Sequence, residues 1–122
     1  MPAAPRQRVL IADDQPLIRW ALGRILQTLG FEPVFAASRQ DALARAAESG
    51  FELAFVADPF EERDSACVVQ ALRDRGTRRV IVLAESARAS EPATAAWLIV
   101  VQKPFSLDAV VNAVGAPRRG AG

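Results

Sequence analysis

Short unbroken apolar runs alternate along this chain with longer segments in which apolar residues recur every three or four positions. Five of the runs read as strands: Arg8–Ala12 and residues 33–36, 53–57, 80–84 and 98–101. After the first, Pro16 suits the opening turn of a helix, with Ile18, Leu22, Ile25 and Leu29 at helical spacing and Gly30 as a stop. Ser38, with Asp41 three residues on, resembles a capping box, and its helix is expected to bury Ala42, Leu43, Ala46 and Ala47 before ending near Gly50. Asp64 or Ser65 caps a third helix carrying Val68, Ala71 and Leu72, which stops at Gly76. Residues 85–96, ESARASEPATAA, are polar, alanine-rich and interrupted by Pro92, so the fourth helix is expected to be short or irregular. Ser106 opens a last helix with Leu107, Val110, Val111 and Val114 on one stripe, ended by Gly115 and Pro117.

Strict alternation of five strands and five helices implies an α/β fold: a five-stranded parallel sheet, doubly wound, with helices on both faces. The strands are almost uniformly apolar, as strands buried on both faces should be. Residues 8–114 are expected to form the domain, with 1–7 a flexible N-terminus and 115–122 a tail or the start of a linker. Ligand chemistry in such sheets belongs at the carboxyl ends of the strands. That rule selects Asp13 and Asp14 after the first strand, Ala57 and Asp58 after the third, Ala84 and Glu85 after the fourth, and Lys103 after the fifth.

Composition narrows the chemistry. A chain of 122 residues with 51% hydrophobic and 24% charged residues fits one globular domain. No apolar stretch approaches the ~20 residues of a membrane helix, and MPAAPRQR lacks the apolar segment of a secretory leader. Cys67 is the only cysteine, which excludes an intrachain disulfide and suits a reducing cytoplasm; it is expected to be a small buried residue. With a net charge of +1 and no long basic run, neither nucleic acid nor a membrane surface is an expected partner. Trp20 lies off the stripe of its helix and Trp97 just before the fifth strand. Histidine is absent, so His-ligated metals and Ser-His or Cys-His nucleophiles are excluded. Of fifteen basic residues only Lys103 is lysine, a compact point charge where arginine would offer a planar fork.

Adjacent carboxylates at Asp13 and Asp14 repel, and a hard divalent cation such as Mg²⁺ would relieve that repulsion. One of them could equally be a helix cap beside Pro16. With Lys103 on a neighbouring strand end, the combination suggests a phosphoryl site, where metal and ammonium neutralise the charge on oxygens in transfer.

VLIADDQPLIRWALGRILQTLGF, the Ala42-Leu43 helix, ELAFVA, VIVLAE and QKPF resemble the receiver domain of bacterial two-component response regulators. The resemblance spans residues 8–114. It implies a phosphate-accepting aspartate on the third strand, Mg²⁺ held by Asp13 and Asp14, Lys103 contacting the phosphoryl group, and a cis bond before Pro104. It also places alanine where the acceptor should be. Laid ungapped from Ser38, Glu52 and Asp64 fall on family acids and Ala57 on the phosphoacceptor position. The hydroxyl residue expected at the end of the fourth strand is Ala84, and the aromatic switch residue of the fifth is Val100. The stretch between Ala84 and Lys103 is shorter than usual by nearly one helical turn.

Two functional expectations follow. In the first the chain is an atypical pseudo-receiver in a phosphorelay. It is not an enzyme, binds Mg²⁺ weakly or not at all, and acts through protein partners: a histidine kinase, another signalling protein, or a second copy. In the second, a one-residue slip brings Asp58 into the acceptor position, and the domain catalyses its own phosphorylation there from a histidine kinase, with Mg²⁺. Pro59 biases Asp58 toward extended backbone and so favours a longer strand. Against the slip, successive strand residues point to opposite faces.

Overall fold

The computed structural model describes residues 7–48, 50–85 and 96–115. Five strands, β1 (Arg8–Ala12), β2 (Glu32–Ala36), β3 (Leu53–Asp58), β4 (Arg79–Ala84) and β5 (Leu98–Gln102), pair in parallel in the order β2-β1-β3-β4-β5. Four helices among the described residues connect and cover them: α1 (Pro16–Thr28), α2 (Arg39–Glu48), α3 (Ala66–Asp74) and α4 (Leu107–Gly115). The expected short helix of residues 85–96 falls almost wholly outside the described residues, as do residues 1–6 and 116–122 at the two ends.

The apolar runs of β1, β3 and β4 are central strands covered on both faces, whereas β2 and β5 lie at the edges and are partly exposed, as at Phe35 of β2. Val9 to Ala12 and Leu53 to Ala57 have no exposed surface. One face packs Val9, Ile11, Leu53, Phe55, Ile81 and Leu83 against Leu22 and Leu26 of α1 and Val110, Ala113 and Val114 of α4. The other packs Leu10, Ala54, Val56, Val80 and Val82 against Ala42 and Ala46 of α2 and Val68 and Leu72 of α3. The direction in which the chain winds across the sheet reverses between β1 and β3, and the crevice at their carboxyl ends is where such sheets bind ligands.

Several side chains depart from the expected stripes. Leu43 and Ala47 are exposed, because α2 touches the core through the narrow row of Ala42 and Ala46. Leu107 and Val111 stand exposed because α4 buries the adjacent row of Val110, Ala113 and Val114. Cys67 is exposed as well: α3 turns Val68 and Leu72 inward, which leaves position 67 on the solvent side. Trp20 is 62% exposed, in keeping with its place off the stripe, and Arg24 lies 5.7 Å over its ring. Three expected caps are present as single bonds, and at α3 the side-chain acceptor is Asp64 rather than Ser65. Ser38 Oγ accepts the Asp41 N–H at 3.0 Å, Asp64 Oδ1 accepts that of Ala66 at 3.0 Å, and Ser106 Oγ accepts that of Ala109 at 3.1 Å.

Candidate functional site at the carboxyl end of the sheet

Asp13 leaves β1 at the sheet's carboxyl edge, fully buried, and both carboxylate oxygens are engaged. Oδ1 accepts the N–H of Gln15 at 2.9 Å, an Asx-type turn that aims the chain into α1. Oδ2 accepts Lys103 Nζ at 2.9 Å, in an ion pair whose lysine side chain is only 10% exposed. Lys103 is delivered by β5, its own N–H donating to the carbonyl of Ala84 at 2.7 Å, and the Lys103–Pro104 bond is cis. Arg19 of α1 donates from Nη1 to the Asp13 carbonyl at 2.9 Å, so the backbone of the acid is held too. Sequence reasoning missed Gln15 and Arg19, because a backbone N–H carries no residue signature and an arginine six positions on looks like any helix-surface charge.

Asp14 does not join this pair. It is exposed, and its Oδ2 accepts the N–H of Glu61 at 3.1 Å, from the loop that follows β3. The two neighbouring acids therefore serve different partners.

Strand register fixes what β3 offers. Ala12 pairs with Val56, so one step further along the sheet Asp13 and Ala57 lie side by side. Ala57 pairs in turn with Leu83 and is fully buried, also touching the cluster of Ala12, Ala36 and Phe60. Asp58 does extend β3 by one residue, pairing with Ala84, and is followed by a cis bond to Pro59. The extension occurs without a slip: the ladder from Leu53 to Asp58 runs unbroken, so Asp58 keeps the opposite parity to Ala57. Asp58 accordingly lines a groove with Asp64, Val69, Val82 and Val100, on the α3 side. Lys103 lines a separate one with Gln15, Ile18, Glu85 and Pro104. Ala84, fully buried, offers the site a methyl and no hydroxyl, its carbonyl being taken by the Lys103 N–H, and Val100 lines the Asp58 groove.

The donor set suits a hard divalent ion poorly. Ala57 supplies no oxygen, Asp14 turns to a loop amide, and Asp13 is paired with the Lys103 ammonium, so Mg²⁺, which takes near-octahedral oxygen ligation, would compete with that cation for the buried acid. Among the described residues no group of three His, Cys, Asp or Glu side chains is placed to hold a metal.

Solved structures with the same architecture decide the fold. A CheY-like response regulator receiver domain from Methanospirillum hungatei superposes with a TM-score of 0.77 at 22% identity, covering 92% of this chain and 93% of that one. A response regulator receiver protein from Sinorhizobium medicae gives 0.80 at 17% identity, covering 93% and 95%. The response regulator TrrA from Thermotoga maritima, solved in complex with Mg²⁺ and BeF, gives 0.76 at 22%, covering 90% and 97%. This chain has the receiver fold. No family model matches the sequence, and no curated protein matches it. Placed on the receiver fold, Asp13, Asp14, Ala57 and Lys103 all stand at the carboxyl edge of the sheet, around the β1–β3 crevice. Among the described residues no helix is long and apolar enough to cross a membrane.

Proposed function

We propose that the chain works in two-component signal transduction as a receiver-type module that has left the phosphorylation cycle and acts by protein–protein contact. The observation that supports this best is the composition of the crevice. Ala57 occupies the place beside Asp13 where a nucleophilic carboxylate would stand, and Lys103 is already neutralised by Asp13. A phosphoaspartyl cycle needs a carboxylate facing that lysine, and the side chain of Asp58 has the parity of the other face. A histidine kinase or another signalling protein would then meet a surface of constant shape, and Mg²⁺ would not be needed to maintain it.

The test is incubation with a small acyl-phosphate donor and millimolar Mg²⁺, followed by intact mass and peptide mapping. Unmodified protein is the expected result. A hydroxylamine-labile phosphate on Asp58, lost in Asp58→Asn, would replace this reading with that of a working receiver using the neighbouring acid.

A further inference from the structure

We infer that Asp14, the exposed member of the acidic pair, is a positioning residue that holds the β3–α3 loop in place by a polar clasp, with no metal. The inference rests on the reading above that the crevice does not work as a Mg²⁺-phosphoryl site, and it assigns the second acid a role there.

The loop, residues 59–65, begins with a buried anchor. Phe60 has no exposed surface and packs among Ala12, Ala36, Ala42 and Ala57. Its N–H donates to the Arg63 carbonyl at 2.7 Å, and the N–H of Arg63 returns a bond to the Phe60 carbonyl at 3.2 Å. Between these two, Glu61 and Glu62 sit at φ of 52° and 66°, the left-handed region that residues with a Cβ seldom occupy. Such a conformation persists where the surroundings over-determine it, and at Glu61 they do. Its N–H donates to Asp14 Oδ2 at 3.1 Å, and its own Oε1 accepts the N–H of Arg39 at 2.7 Å. Arg39 opens α2, where the first backbone donors have no partner within the helix, so the Glu61 carboxylate both caps α2 and ties the loop to it. The Arg39 side chain closes the circuit, donating from Nη1 to the Asp64 carbonyl at 2.8 Å.

Asp14 and Glu61 therefore join three segments: the β1–α1 turn, the β3–α3 loop and the start of α2. A charged acceptor on a backbone N–H is a stronger bond than a neutral one. Placed here, it fixes the loop's geometry from β1 directly. The loop is held in one arrangement by residues that need no effector.

Amide hydrogen exchange read by NMR at Glu61 and Arg39 tests this. In Asp14→Ala, exchange at the Glu61 amide should rise about tenfold or more, the loss of one charge-assisted bond. Asp14→Asn keeps an oxygen acceptor and should stay within about threefold of the parent. Arg39→Ala, which keeps its own amide but releases Asp64, should loosen the loop without changing core amides of β1. Millimolar Mg²⁺ should leave the Glu61 amide unmoved in the parent protein. An unchanged Glu61 amide in Asp14→Ala would overturn the clasp, as would a Mg²⁺ titration that shifts Glu61 together with the Asp14 carboxylate. The two readings fail separately: phosphate on Asp58 by mass would sink the proposed function while leaving the exchange result to judge the clasp.

Discussion

At Asp13 a carboxylate with no exposed surface is satisfied by one ammonium and one backbone N–H. Taking away one partner of a buried ion pair strands the other charge, at a cost of about 3–5 kcal/mol, although an apolar pair of similar volume can be as stable. Asp13→Ala should therefore lower the urea midpoint sharply, and Asp13→Leu combined with Lys103→Met should recover most of the loss. Equal and additive losses in the single and double variants would mean that the two side chains are not coupled. This pairing was partly legible beforehand. Asp13, Asp14 and Lys103 could be placed at strand ends from apolar periodicity alone. That Asp13 rather than Asp14 takes the lysine depends on strand parity, which follows only once it is known that Val9 and Ile11 of β1 share a face with Ile99 and Val101 of β5. Phe60 left a signal that went unused: an apolar residue inside the polar stretch DPFEER, just past a strand end, has somewhere to be buried.

Among elements, the strands were the most readable and the helix faces the least. A strand buried on both sides shows its full length as an apolar run, and β1 begins and ends where its run does. A short alanine-rich helix such as α2 does not announce which row faces inward, since Ala47 and Leu43 looked as suitable as Ala46. β3 exceeded its apolar run by one residue because Asp58 could pair with Ala84 without entering the core face. Two consequences belong at this scale. Ser38→Ala removes the acceptor for the Asp41 amide at the start of α2 and should cost about 1 kcal/mol by chemical denaturation. Leu26→Ala empties a fully buried site beneath α1 and should cost about 2–5 kcal/mol by the same measurement. A loss below that range would mean that α1 collapses onto the sheet to fill the space.

For the whole molecule, the receiver architecture and the retained Lys103 put a single substitution within reach of a different behaviour. Ala57→Asp would set a second carboxylate beside buried Asp13, and without metal the variant should lose about 2 kcal/mol or more to charge repulsion and desolvation. Mg²⁺ should then raise its melting temperature in a concentration-dependent way, as any ligand confined to the native state does. The parent protein should show no such dependence, and a parent whose melting rises with Mg²⁺ would contradict the site as described.

The Asp13–Lys103 pair also governs how this end of the sheet looks from a distance. A bare lysine at the mouth of a crevice would concentrate anions around it and speed their arrival, an effect that salt screens away. Here the ammonium is matched by a carboxylate at 2.9 Å, so from several ångströms out the two nearly cancel. Small anions approaching the crevice gain no acceleration from Lys103. Encounters at this end of the molecule are governed instead by the exposed carboxylates of Asp14, Glu61 and Glu85, so the arrival of small anions should quicken as salt screens them.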